Sequence, residues 1–254
     1  MNSAIHANPR LDAELAARWQ SLLTQLGEIA RQHPDALLAS SMGVEDMLLI
    51  HALAQYPQPL GVFMLDTGRL HAETLAMVAV VQRRYGIDVQ RVQPEPEAVQ
   101  AYVDAHGANA FYDSLALRQR CCELRKLAPL RRALTGRSAW ITGQRREQAS
   151  TRAELPEAQW DDSFGLHKYN PLAHWSTEQV WAVAQSLDVP VNPLHRRGYP
   201  SIGCEPCTRA IRPGEDLRAG RWWWEQRDSR ECGLHANPVT TAPSATSSVH
   251  FSTS

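Results

Sequence analysis

Two cysteine pairs impose the strongest condition on how this chain can fold. Cys121 and Cys122 are adjacent, and Cys204 and Cys207 form a CxxC between Gly203 and Thr208. If the four thiols serve one site, the fold must carry residue 121 to residue 204. The fifth cysteine, Cys232, stands apart in Glu231-Cys232-Gly233-Leu234-His235. In a reducing compartment such cysteines point to metal binding or catalysis rather than to disulfides. The expected division is four thiols that hold something and one that reacts. Met1 to Pro9 lacks the apolar core of a signal peptide, and no apolar run approaches the roughly 20 residues that span a bilayer. A cytoplasmic location without a membrane partner is therefore expected.

The rest of the chain alternates two hydrophobic periods. Leu11, Leu15, Trp19, Leu22, Leu26 and Ile29 recur at helical spacing and predict an N-terminal helix over 10–33. Ala36–Ser40, Leu60–Leu65, Asp88–Val92, Ser138–Gly143 and Leu166–Leu172 read as strands. Helices are expected over Met47–Gln55, after Thr74 to about Tyr85, over Glu97–His106, as one run over Ser114–Leu134, and over Gln179–Leu187 with Ser176 as its cap. Strand–helix alternation predicts an α/β fold with a mainly parallel sheet flanked by helices, its ligand at the strand C-terminal ends. The loop Ser41-Met42-Gly43-Val44-Glu45-Asp46 can be an anion cradle of free N–H groups at a helix start, or an ordinary turn with two acids in the first helical turn. Asp66 and Thr67 follow the second strand, where a ligand or a helix cap could use them.

Net charge is -1, so no global basic field recruits nucleic acid. Of the 26 basic residues, all but Lys126 and Lys168 are arginine, a side chain suited to bidentate anion contacts. Arg145, Arg146 and Arg152, with Ser150 and Thr151, follow a predicted strand and suit phosphate or sulfate. Arg125 and Lys126 lie one helical turn after Cys121 and Cys122, where cations favour thiolates. Beyond Val189 periodicity fades. Trp222-Trp223-Trp224, near Arg218 and Arg221, can stack a base, pack a cluster shell, or form a helix burying two of three indoles. Residues 1–235 are expected as one domain, with 208–235 a C-terminal catalytic segment; 236–254 has the composition of a disordered tail.

Four thiols can hold zinc or an iron–sulfur cluster. Neighbouring helical residues point about 100° apart, so Cys121 and Cys122 converge poorly on one ion but can reach two corners of a 4Fe-4S cubane. Spacing favours the cluster; a vicinal disulfide is the remaining reading.

With these pieces the chain resembles the cluster-containing adenylyl-sulfate (APS) reductases, within the APS and 3'-phospho-APS (PAPS) reductase family. The carriers are Ser40-Ser41-Met42-Gly43-Val44-Glu45-Asp46, Leu65-Asp66-Thr67-Gly68-Arg69, Cys121-Cys122-Glu123-Leu124-Arg125-Lys126, Thr142-Gly143-Gln144-Arg145-Arg146, Gly203-Cys204-Glu205-Pro206-Cys207 and Glu231-Cys232-Gly233-Leu234-His235. The resemblance implies an adenine-nucleotide alpha-hydrolase-like (Rossmann-like) fold, Cys232 as nucleophile, and a 4Fe-4S cluster on Cys121, Cys122, Cys204 and Cys207. It implies Lys126, Arg218 and Arg221 near the sulfate–phosphate end. Ser41, Gly43, Asp66, Arg145, Arg146 and His235 complete the candidate substrate set. Reduced thioredoxin is the implied donor, and sulfite and AMP the products. The rival readings are PAPS reduction, a tRNA-modifying ATP pyrophosphatase and a zinc-stabilised nucleic-acid module. A homo-oligomer is compatible with all of them.

Overall fold

A computed structural model describes residues 11–225; Cys232, His235 and the expected tail lie outside the described residues. Six strands form one sheet: β1 (Leu37–Ala39), β2 (Gly61–Leu65), β3 (Val89–Val92), β4 (Ala139–Thr142), β5 (Ala158–Asp161) and β6 (Leu166–Tyr169). Their order is β3-β2-β1-β4-β6-β5, and every pairing is parallel except β5 with β6. The helices are α1 (Ala13–Gln32), α2 (Val44–Leu53), α3 (Ala72–Tyr85), α4 (Pro96–His106), α5 (Leu115–Cys122), α6 (Ala128–Leu134) and α7 (Thr177–Ser186). The expected α/β architecture is thus observed.

Strand side chains alternate between two cores, as a pleated sheet requires. Leu38, Val62, Met64 and Ile141 join α1, α2 and α7 on one face. Leu37, Phe63 and Trp140 face Leu130 and Leu134 of α6 on the other. Both faces are buried, which is why the parallel strands read as continuous apolar runs. The α1 cap is Asp12, whose carboxylate accepts from the Leu15 N–H at 2.8 Å. Ser176 caps α7 in a reciprocal box with Gln179, as expected.

Three details depart from the sequence reading. The single helix expected over Ser114–Leu134 is interrupted by a π-helical turn, Glu123–Leu127. Pro129 lies just inside α6; it has no N–H to donate and its ring crowds the carbonyl four residues back, so a wider turn ahead of it relieves both problems. The edge strand β5 was not anticipated: only four residues long, it alternates apolar Ala158 and Trp160 with polar Gln159 and Asp161, but its apolar residues are the exposed ones, so it shows no buried run. The tryptophan run is a turn rather than a helix: Trp222 is buried, Trp224 is half-buried and Trp223 is exposed.

Candidate active site

Strand β1 leads to β2 on one side and sits beside β4 on the other. The crevice above the ends of β1 and β4 is therefore the topological switch point, where open α/β sheets bind ligands. A cavity of about 500 Å³ opens there, a size suited to a nucleotide-scale ligand. The loop after β1 supplies Ser41, Gly43, Glu45 and Asp46, and the loop after β4 supplies Gly143, Gln144 and Arg145. Lys126 comes from the π-helical turn, and Arg218 and Arg221 from the segment after the CxxC. Of the expected substrate set, Ser41, Gly43, Lys126, Arg145, Arg218 and Arg221 thus share one cavity.

The loop after β1 is not a cradle of free N–H groups. Ser41 N–H donates to Asp46 at 2.6 Å, and Met42 N–H donates to the Ser40 hydroxyl at 3.1 Å. Val44 N–H donates to His195 Nε2 at 3.0 Å, while His195 Nδ1 faces the Tyr199 carbonyl at 2.9 Å. This pair of contacts requires the Nδ1–H tautomer, and burial keeps the ring's pKa low. Glu45 and Asp46 do lie in the first turn of α2, so the ordinary-turn reading holds. Met42 takes the left-handed conformation, φ 60°, in the interior of this turn.

Arg145 is buried and already committed. Its Nε and Nη2 donate to Glu45 Oε1 at 3.0 and 2.9 Å, and Nη1 donates to Glu147 at 2.9 Å. Glu147 in turn accepts from the Thr177 N–H and hydroxyl at the start of α7. Arg145 thus joins three elements below the cavity. Arg146 donates to the Leu155 carbonyl at 2.8 Å and is not among the cavity walls. Asp66 also lies off the cavity: it pairs with Arg91 and accepts from Gln93 at 2.9 Å and from the Gly68 N–H at 3.2 Å.

The cysteine pairs meet as the sequence demanded. Cys121, Cys122, Cys204 and Cys207, all free thiols, line one small pocket with Arg69, Arg118, Arg125, Lys126 and Trp222. Thr67 Oγ1 lies 3.2 Å from the Cys204 sulfur. Arg125 lies beside Cys121, and Arg118 beside Cys122. Burial, then the neighbouring Cys204, pushes the Cys207 thiol up to about 12. Among the described residues no group of three or more His, Cys, Asp or Glu side chains is arranged to hold a metal ion; the four sulfurs line the small pocket. Beneath it, Arg118 and Glu225 form a buried bidentate pair with two 2.8 Å bonds.

Lys126 and Trp222 line both the cavity and the thiol pocket. Trp222 is held by three guanidiniums, with Arg221, Arg118 and Arg218 at 4.6, 4.9 and 5.9 Å from its ring centre. Its φ of 42° is left-handed, an unfavourable conformation for a bulky residue, and its N–H donates to the Cys207 carbonyl at 3.1 Å. The backbone of Trp222 is thereby tied to the CxxC turn. Arg221 passes over Gly203, where a Cβ would stand 2.5 Å from its Nη2. His195, Gln148 and Trp181 also line the cavity. Sequence reasoning assigned them no role, since their contacts, such as Val44 to His195, are distant along the chain and carry no local signal.

A switch-point nucleotide cavity sharing a lysine–tryptophan wall with a four-thiol pocket defines a nucleotide-binding α/β protein with a thiol centre. The family model for the phosphoadenosine phosphosulfate reductase domain matches residues 35–210. The chain belongs to that family. It is 57% identical over 233 residues to the adenosine 5'-phosphosulfate reductase of Burkholderia cepacia, covering 92% of this chain and 93% of the relative. Identity to the protein of that name from Allochromatium vinosum is 52%, covering 87% and 86%. Among solved structures, the phosphoadenylyl-sulfate reductase of Candida auris superposes with a TM-score of 0.64 at 24% identity, over 79% of this chain and 98% of that one. The FMN adenylyltransferase of Candida glabrata shares the fold, with a TM-score of 0.53 at 16% identity over 91% of this chain and 77% of that one.

Proposed function

We propose that this protein reduces adenosine 5'-phosphosulfate to sulfite and AMP, with Cys232 as nucleophile, a 4Fe-4S cluster on Cys121, Cys122, Cys204 and Cys207, and reduced thioredoxin as donor. The observation that carries the reading is the shared wall of Lys126 and Trp222 between the nucleotide-sized cavity and the four-thiol pocket. The names of the relatives from Burkholderia cepacia and Allochromatium vinosum support the same substrate.

The donor set fits the cluster. Four free cysteines surround one pocket, a threonine hydroxyl faces one sulfur and two arginines lie beside two others. Four thiolates are the usual ligand set of such a cluster, and coordination would deprotonate Cys121 and Cys207, which burial holds neutral. When bound, the cluster supplies a delocalised negative charge beside Lys126.

The chemistry follows from a soft nucleophile and an electrophilic sulfur. The Cys232 thiolate attacks the sulfate sulfur of APS; an S–S bond forms, the bridging S–O bond breaks, and its electron pair leaves with AMP. A thioredoxin thiolate then attacks the Cys232 sulfur of the S-sulfocysteine. Sulfite leaves with the electron pair of the broken S–S bond. The second thioredoxin thiol resolves the mixed disulfide and returns Cys232 to its reduced state. Two electrons thus pass from the dithiol to sulfur. Attack of one anion on another needs positive charge on the cavity wall, which Lys126, Arg218 and Arg221 supply. Ser41 and Gly43, on the loop after β1, line the same cavity and are assigned to the nucleotide. Asp66 and Arg146 order the loops after β2 and β4 through Gly68 and Leu155. His235 flanks the nucleophile in sequence. Reactive and cluster-binding thiols suit a reducing, cytoplasmic location, and among the described residues no helix is long and apolar enough to cross a membrane.

The test assays both APS and PAPS with reduced thioredoxin, measuring sulfite. A larger kcat/KM for APS is expected; a larger value for PAPS reverses the assignment.

A further inference from the structure

Asp46 is a buried carboxylate for which the mechanism above has no use. It lies at the switch point, lines the cavity, and is 6% exposed. Among the described residues no cation pairs with it; the nearby Arg145 is committed to Glu45 and Glu147. Its oxygens are held instead between two different loops. Ser41, after β1, gives its N–H at 2.6 Å and its hydroxyl at 2.7 Å. Gly143, after β4, brings its backbone against the carboxylate, so closely that a Cβ there would stand 2.3 Å from Asp46 Oδ1. Gly143 has to be glycine for this contact, because a Cβ there would overlap Asp46 Oδ1 and press against Glu45. Both loops are cavity walls. A buried, unpaired carboxylate is costly to fold around, and two donors from one wall with the close approach of the other mark it as a tie between them.

We propose that Asp46 is a positioning residue that, in its charged form, ties the loop after β1 to the turn after β4 and so sets the width of the nucleotide cavity. The proposal rests on the reading of that cavity as the APS site. Asp46 does not touch the reacting sulfur; it acts through Ser41 and Gly143. Around it stand Glu45 on its own helix, Arg145 from the β4 loop paired with Glu45, and His195, neutral and engaged with the Val44 N–H. Burial, with Glu45 adding to it against the Ser41 donors and the Gly143 backbone, raises the carboxyl's pKa from the ordinary 3.8 to about 6. The linkage has a useful sign. Because the folded value lies above the unfolded one, protonating Asp46 favours the folded chain. Acidification towards pH 5.5 therefore slackens the tie without unfolding the protein through this group.

The test measures APS binding at equilibrium in the cluster-loaded Cys232→Ser chain, which cannot consume it. The charge of APS itself is constant from pH 5.5 to 7.5, since its ionising groups are strong acids. APS binding should weaken about threefold on going from pH 7.5 to 5.5, the factor for a group titrating near 6 whose neutral form binds about tenfold more weakly. Adding Asp46→Asn should make binding about tenfold weaker at pH 7.5, as expected for charge-assisted hydrogen bonds reduced to neutral ones, and flat with pH. In enzyme retaining Cys232, the same substitution should raise KM more than it lowers kcat. Binding that is equally tight in Asp46→Asn, or that keeps the parent's pH profile, overturns the proposal. So does an APS affinity in the Cys232→Ser chain that is flat with pH, which needs no substitution at Asp46 to observe. No APS binding by the Cys232→Ser chain at pH 7.5 would instead overturn the reading of the cavity.

Discussion

Replacing Gly203 by alanine should disable the substrate cavity while leaving the fold and the thiol pocket intact. The new Cβ would lie 2.5 Å from Nη2, 2.6 Å from Cζ and 3.0 Å from Nη1 of Arg221. No positive φ burdens Gly203, so the effect is steric. Its target is the far end of a flexible side chain, which can retreat. Retreat forfeits two long hydrogen bonds, to the Ser201 hydroxyl and the Ile202 carbonyl at 3.3 Å each, and the stack on Trp222 at 4.6 Å. These are weak contacts, together about 1 kcal/mol, or about 2–4 °C in melting temperature for a chain of this size. Function should suffer more. If Arg221 serves the sulfate as proposed, its withdrawal costs about 1.5–3 kcal/mol, a fall of about 10- to 100-fold in kcat/KM for APS. The assay pairs thioredoxin-dependent sulfite release with iron content and a thermal melt. A double-mutant cycle with Arg221→Ala sharpens it, since both changes remove one interaction and the double variant should lose little more than either single one. Activity within twofold of the parent, or losses that simply add, would refute the argument that Gly203 exists to admit Arg221.

Arg145→Met should leave Glu45 buried without its cation and cost about 3–5 kcal/mol, seen as a melting temperature lower by about 10 °C; a change of a degree or two would show that the network is not holding the β4 loop. Cys204→Ser should lose the bound iron and acid-labile sulfide, and stoichiometric zinc with no broad visible absorption in the parent chain would contradict the cluster.

Much of this fold was readable because both sheet faces are buried. Val62-Phe63-Met64 and Ala139-Trp140-Ile141 are apolar throughout, so strands and their helices stand out. Strand β5 escaped because Gln159 and Asp161 sit at a partly exposed edge, where no hydrophobic pattern is required. The π-helical turn was missed although Pro129 is visible in the sequence, since a proline can equally kink a helix or end it. At the site, the meeting of Cys121 and Cys122 with Cys204 and Cys207 was legible from their spacing. The fate of Arg145 was not. An arginine after a strand suggests an anion ligand, but the folded chain itself supplies the anions, Glu45 and Glu147, from distant positions. The same holds for the β1 loop, whose N–H groups go to Asp46, Ser40 and His195.

The most direct test of the account is a single turnover. Cluster-loaded protein mixed with APS in the absence of thioredoxin should release one equivalent of AMP per chain, and mass spectrometry should find a sulfonate on Cys232 that added thiol removes. Cys232→Ser should release none, with iron content and APS binding near those of the parent. AMP release at the normal rate from Cys232→Ser, or a sulfonate on any other cysteine, would contradict the assignment of Cys232 as the nucleophile.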